Sequence, residues 1–123
     1  MKKLYLLILF LIPLNSVALE KQTTFTKKLF LEAQNSGKTV VINSWNKSCS
    51  TCAAQVLILD EAKNKFENIV FLSFEQTVDL DIAKFLNIDY WTTIVVYKDN
   101  KELIRSIGQT DKSKIYSMIQ KGI

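Results

Sequence analysis

Histidine is absent from this chain of 123 residues, and cysteine, proline and methionine are scarce. With no histidine and no acidic residue beside them, the two cysteines leave a tetrahedral zinc site two ligands short, unless two chains share it. Two thiolates could hold copper(I), but Met118 is the only thioether beyond Met1 and falls on a separate predicted helix. These absences argue against a metal site at the two cysteines, and we predict no metal and no cofactor.

The first residues have the pattern of a secretory signal peptide. The start is basic, the run from Leu4 to Leu14 is apolar, and small residues precede a cleavage point after Ala18. A spanning helix needs about 20 apolar residues, whereas this run is shorter and contains Pro13. We therefore predict a cleaved signal peptide over 1–18 and a mature domain over 19–123 that does not insert into a membrane. The alternative is retention as an N-terminal anchor.

The length and net charge of the mature chain limit the number of its domains and the kinds of partner it can bind. A chain of this length with 48% hydrophobic residues accommodates one domain with one core. The net charge is +4, and loss of the two lysines of the signal peptide would reduce it to about +2, which is weak for a nucleic-acid-binding protein. We predict no nucleic-acid partner. The expected destination is the periplasm, an oxidising compartment where a cysteine pair cycles or rests as a disulfide.

The two cysteines fall where a predicted strand meets a predicted helix. The segment Thr39–Trp45 is rich in β-branched residues and is typical of a buried strand. A helical pattern of apolar residues follows from about Ser50 to Phe66. Cys49 is therefore predicted at or near the helix N-cap, with Cys52 about one turn further in.

This placement favours disulfide exchange. The free amides and dipole at a helix start stabilise a thiolate by about 0.3–1 kcal/mol, which lowers a thiol pKa by up to about one unit from about 8.5. We predict Cys49 as the nucleophile and Cys52 as the resolving thiol. The alternative is an inert structural bridge, although so small a loop gives little entropic stabilisation.

The remaining patterns predict alternating helices and strands. The predicted elements are a helix over Phe25–Ala33, strands over Ile69–Phe74, Thr93–Lys98 and Glu102–Ile107, and helices over Asp79–Leu86 and Asp111–Lys121. Asp99 and Asn100 form the turn of a predicted hairpin between the last two strands. This order predicts an α/β three-layer domain with a central mixed β-sheet flanked by helices.

The chain resembles the thioredoxin family. The resemblance rests on the C-x-x-C pair, on Trp45 four residues before Cys49, on Ile58–Glu61, on Thr93 and on Gly108. The resemblance implies a thioredoxin-like fold. It also implies that the partners are protein thiols and disulfides, together with a membrane or soluble redox partner that resets the pair. It also implies a protein-disulfide oxidoreductase, and we expect the protein to be a monomer.

The chain departs from the family pattern in four places. Ser48 stands in place of a tryptophan, and Ser50 and Thr51 stand in place of Gly-Pro between the cysteines. Asn43 replaces a buried aspartate, opposite Ser73 where many members have a lysine. Thr92 replaces the cis-proline.

Two of these departures carry an expectation for the structure. A neutral pair at Asn43 and Ser73 avoids the desolvation of a buried charge pair, and a cis bond before Thr92 would cost about 2.5–4 kcal/mol, so we expect a trans peptide. The loss of the proline and the carboxylate supports an alternative function, an exported thioredoxin-fold binding or chaperone-like module whose disulfide rarely turns over.

Three residues are predicted to contact the substrate. Trp45 either packs in the core beside the disulfide or touches a substrate, and core packing is the simpler interpretation. Trp91 and Thr92 are predicted at the mouth of the site, where loop packing is the alternative for the aromatic side chain.

Overall fold

The structure is a computed structural model that describes residues 22–123, so the predicted signal peptide over 1–18 lies outside the described residues. The predicted order of elements is confirmed, and each predicted end lies within two residues of the observed one. The elements are α1 (Lys27–Asn35), β1 (Thr39–Trp45), α2 (Ser50–Lys65), β2 (Ile69–Glu75), α3 (Leu80–Leu86), β3 (Thr93–Lys98), β4 (Lys101–Ile107) and α4 (Lys112–Gln120).

The four strands form one mixed sheet in the order β2-β1-β3-β4. β1 pairs with β2 in parallel and with β3 in antiparallel, and β3 pairs with β4 in antiparallel. Every residue of β1 is buried, and so are the first five of β3. Strands covered on both faces need apolar side chains on both, which explains the continuous β-branched runs in these two segments.

Helices cover both faces of the sheet, which confirms the predicted three layers. On one face, Phe30 of α1 and Leu86 of α3 belong to a cluster with Ile42 of β1. On the other face, Leu59 of α2 and Ile115 of α4 belong to a cluster that includes residues of the same two central strands. Alternate residues of β1 and β3 therefore anchor two separate apolar layers.

The connections follow the predicted turn chemistry. Asp99 and Asn100 both have positive φ, at 51° and 62°, which is the backbone of a two-residue hairpin turn. Gly108 has φ +76° directly after β4, where a residue without a Cβ relieves the strain of the left-handed conformation.

Within residues 22–123, no helix combines the length and the apolar character that crossing a bilayer requires.

Candidate active site

The cysteine pair lies at the junction of β1 and α2, as the sequence predicts. Cys49 is the N-cap of α2, and its Sγ accepts a hydrogen bond from the backbone N–H of Cys52 at 3.1 Å. The two residues form a disulfide with their Cα atoms 5.2 Å apart. The sulfur of Cys49 therefore occupies the place where a capping oxygen would satisfy a free amide of the first turn.

The two cysteines differ in exposure. Cys49 is partly buried, whereas Cys52 is 0% exposed. A thiol or thiolate from solution can therefore approach the pair only from the side of Cys49. This asymmetry is the arrangement that sequential attack and resolution require.

A short loop holds Cys49 in place. Asn46 Oδ1 accepts from the N–H of Ser48 at 3.0 Å, and the Asn46 carbonyl accepts from the N–H of Cys49 at 3.3 Å. On its other side, Asn46 Nδ2 donates to Thr77 Oγ1 at 2.8 Å. Asn46 thus ties the loop to the segment after β2, a role that the sequence analysis missed because an Asx turn has no pattern beyond its own residue.

Thr92 combines a trans peptide with an unusual backbone. No cis peptide occurs among residues 22–123, so the trans prediction for Trp91–Thr92 is confirmed. The φ of Thr92 is 63°, in the left-handed region that β-branched residues rarely adopt. Its N–H donates to the Ser44 carbonyl at 2.8 Å, and its own carbonyl accepts from the N–H of Gly108 at 3.0 Å. Its contact with a substrate stays a prediction.

The two tryptophans occupy different environments. Trp45 is 1% exposed, which leaves its side chain no surface to offer a substrate in this conformation, so it is placed as a core aromatic. Trp91 is 46% exposed, and its predicted substrate contact stays a prediction. It borders an open groove of about 530 Å³ lined by Gln76, Thr77, Leu80, Asp89, Tyr90, Trp91, Thr92 and Ile107.

The side chains at the Asn43 and Ser73 positions are buried and uncharged. Asn43 is buried, and its Nδ2 donates to Gln55 Oε1 and to the Thr93 carbonyl, each at 3.3 Å. Ser73, also buried, donates to the Gln22 carbonyl at 3.1 Å. Neutral side chains therefore stand at both positions, as predicted.

In the described part of the chain, no three histidine, cysteine, aspartate or glutamate side chains are grouped to hold a metal.

Gln55 was not singled out by the sequence analysis, although it lies at the centre of this polar group. It is 0% exposed and is hydrogen-bonded to residues of three other segments. Its position three residues after Cys52 and one before Val56 places it on the buried stripe of α2, and that spacing is the signal that could have found it.

A mixed four-stranded sheet between two layers of helices, with a C-x-x-C disulfide at the start of the helix after its first strand, defines a thioredoxin-like oxidoreductase. The thioredoxin family model matches residues 16–121. The chain belongs to the thioredoxin family.

Relatives agree with this assignment, and solved structures share the fold. The chain is 28% identical to a thioredoxin of Coprinus comatus over 96 residues, covering 76% of this chain and 90% of that protein. It is 30% identical to a thioredoxin of Mycoplasma genitalium over 81 residues, covering 66% of this chain and 79% of that protein. The fold is similar to that of Trxlp from Edwardsiella tarda, with a TM-score of 0.74 and 20% identity. The match covers 77% of this chain and 94% of that chain. For the thioredoxin of Fasciola hepatica the TM-score is 0.69, with 20% identity and coverage of 78% and 89%.

Proposed function

We propose that this chain is an exported thiol–disulfide oxidoreductase that exchanges disulfides with partner proteins in the periplasm. Cys49 is the nucleophile and Cys52 the resolving thiol. One observation carries the proposal: the partly exposed Cys49 caps α2 while Cys52, its disulfide partner, is completely buried behind it.

The exchange starts from the disulfide seen in the structure. A partner thiolate attacks Cys49 Sγ, the bond between Cys49 and Cys52 breaks, and Cys52 leaves as a thiolate that takes up a proton. A second partner thiol then loses its proton, attacks the partner sulfur of the mixed disulfide and releases Cys49. The partner dithiol is oxidised to a disulfide, and the pair gains two electrons. The same steps in reverse reduce a partner disulfide.

The first turn of α2 supplies the electrostatic contribution. In the reduced protein, the N–H of Cys52 and the other free amides of that turn favour the thiolate form of Cys49. The expected reduction of its pKa is up to about one unit, which increases the thiolate fraction near neutral pH. No cofactor is required, because the two sulfurs carry the electrons themselves.

A test of the two roles uses single serine variants. With a model protein disulfide as substrate, Cys49→Ser should abolish turnover, whereas Cys52→Ser should retain attack and accumulate a mixed disulfide through Cys49. Thr51→Ala is the matched control, because it lies between the cysteines and removes no sulfur. Unchanged turnover in Cys49→Ser, or trapping through Cys52 instead, would contradict the assignment.

The basic and apolar start of the sequence supports export, and a redox partner in the membrane or in solution would reset the pair. Cell fractionation and N-terminal sequencing of the natural protein test the location. We expect periplasmic protein that begins after Ala18. Protein that retains Met1 and remains in the cytoplasm would contradict it.

A second candidate is a binding module with a disulfide that rarely turns over. The observation that favours it is the left-handed backbone of Thr92, whose N–H and carbonyl are both hydrogen-bonded within the chain. The reduction potential separates the two candidates. A value between about −120 and −270 mV indicates a redox enzyme, and a value below about −300 mV indicates a structural disulfide.

A further inference from the structure

Gln55 is the polar member of the buried stripe on α2, among Cys52, Val56, Leu59 and Ala62. Its side chain is completely buried, so every hydrogen-bonding group of its carboxamide must find a partner within the protein. Apolar side chains of similar size would fill the same space without that requirement. A carboxamide at this position therefore needs an explanation beyond packing.

The partners of Gln55 fix the orientation of its carboxamide. Nε2 donates to the Thr92 carbonyl and to the Gln109 carbonyl, each at 2.9 Å, and Oε1 accepts from Asn43 Nδ2 at 3.3 Å. Backbone carbonyls cannot donate, so the amide nitrogen has to face them. Both N–H groups and the oxygen are thus used, and each contacts a different segment.

Two of these segments are loops that lie beside the start of α2. Thr92 directly precedes β3, and its N–H donates to the Ser44 carbonyl near the end of β1, the strand that leads to the cysteines. Gln109 follows β4, and the N–H of its neighbour Gly108 donates to the Thr92 carbonyl. The two loops are therefore bonded to each other and, through Gln55, to the helix that carries the disulfide.

We infer that Gln55 is a positioning residue for disulfide exchange with polypeptides. This inference rests on the proposed function. Gln55 holds the Thr92 and Gln109 loops at a fixed position relative to α2, so a polypeptide meets a preformed surface beside Cys49. It acts through the loops, and its described hydrogen bonds go to neither reacting sulfur. Its loss should weaken binding of a polypeptide disulfide more than it slows sulfur exchange.

The first test compares Gln55→Leu with the wild-type protein on two substrates. For a model protein disulfide, KM should rise by about fivefold or more while kcat changes by less than about twofold. For a small organic disulfide, which needs no loop surface, kcat/KM should stay within about twofold. Leu59→Ala is the control, because it weakens the same helix one turn further on without touching either loop, and its KM should remain near the wild-type value.

A second variant introduces a titratable group. In Gln55→Glu the carboxyl can donate to one carbonyl only while it is protonated, and the carboxylate would face two carbonyl oxygens. The ratio of the KM of Gln55→Glu to that of the wild-type protein should therefore increase with pH. Destabilisation of the fold alone would lower the folded fraction, and with it the apparent kcat, and would leave the ratio of KM values constant. This comparison remains decisive where Gln55→Leu fails to fold.

Amide hydrogen exchange measures the loops without any substrate. The N–H groups of Thr92 and Gly108, which bond to Ser44 and Thr92, should exchange faster in Gln55→Leu than in Leu59→Ala at equal global stability. Wild-type KM in Gln55→Leu, or an equal rise in Leu59→Ala, would overturn the inference. Absence of turnover in the wild-type protein on both substrates would instead overturn the proposed function.

Discussion

At the scale of single residues, Thr92 shows how the surroundings of a residue can override its own preference. Left-handed backbone costs an ordinary L-residue about 1–2 kcal/mol. Hydrogen bonds to Ser44, Gly108 and Gln55 hold Thr92 in that conformation. The trans peptide bond between Trp91 and Thr92 was predictable, because a cis bond before a residue other than proline is costly in free energy. The sequence could not predict the sign of φ, because that depends on partners 16 or more positions away along the chain.

Restoring the family's proline at this position should therefore destabilise the protein. Thr92→Pro removes the N–H that bonds to Ser44 and forces φ to about −65° where the structure has 63°. We expect the free energy of unfolding to fall by about 2 kcal/mol or more, as measured by urea denaturation. Thr92→Gly keeps the N–H and accommodates positive φ, so its change should stay within about 1 kcal/mol. Equal stability of the two variants would contradict this account.

Gln55 was overlooked for a related reason. A glutamine on a helix is usually solvated, and composition alone gives no sign that this one is buried. The helical spacing did place it among apolar positions, but the two loop carbonyls that it binds belong to segments near positions 92 and 109. Their meeting is a property of the fold and is not visible in local sequence.

At the scale of elements, strands were predicted more sharply than helix ends. β3 was predicted to the residue, because its β-branched run is bounded by turn residues at Asp99 and Asn100. For α1 the apolar pattern began at Phe25, whereas the helix starts after Thr26, whose Oγ1 caps it by accepting from the N–H of Leu29 at 3.1 Å. Phe25 is buried without being helical. Apolar spacing marks what enters the core, and capping decides where the helix begins.

Tyr97 on β3 should make the folded protein less stable as the pH becomes alkaline. Burial raises the pKa of its phenol from 10.0 to about 12, with Glu102 adding to the shift and Arg105 opposing it. The folded state therefore disfavours the phenolate. The stability that Tyr97 contributes is complete below about pH 10 and is lost as the pH rises toward about 12. Urea denaturation across this range should show a shallower loss of stability in Tyr97→Phe than in the wild-type protein. Parallel losses would mean that other groups control alkaline unfolding.

At the scale of the whole molecule, the layered architecture followed from element order and the family resemblance. One contact between distant parts of the chain was not predicted from the sequence. The N–H groups of Thr24 and Phe25 both donate to the Ser73 carbonyl, so the segment before α1 lies along the outer edge of β2. This segment is short and largely polar, and it carries no strand pattern. Its position covers part of a sheet edge that would otherwise offer unpaired backbone groups.

The fold should not depend on the disulfide. The two apolar clusters on the faces of the sheet contain neither cysteine, and the bridge closes a loop with a sequence separation of only 3. The double variant Cys49→Ser/Cys52→Ser should fold, with native far-ultraviolet circular dichroism and a loss of no more than about 2 kcal/mol in urea denaturation. The reduced wild-type protein is the control. An unfolded double variant would assign the disulfide a structural role.

The disulfide also contains both cysteines of the sequence. A maleimide or iodoacetamide adduct on this protein can therefore come from no other site, and the oxidised form takes up none. In the reduced form, the buried position of Cys52 means that the first adduct is added quickly and the second slowly. The mass of the intact chain after brief alkylation in a cell extract would thus report directly what fraction of the population is reduced inside the cell.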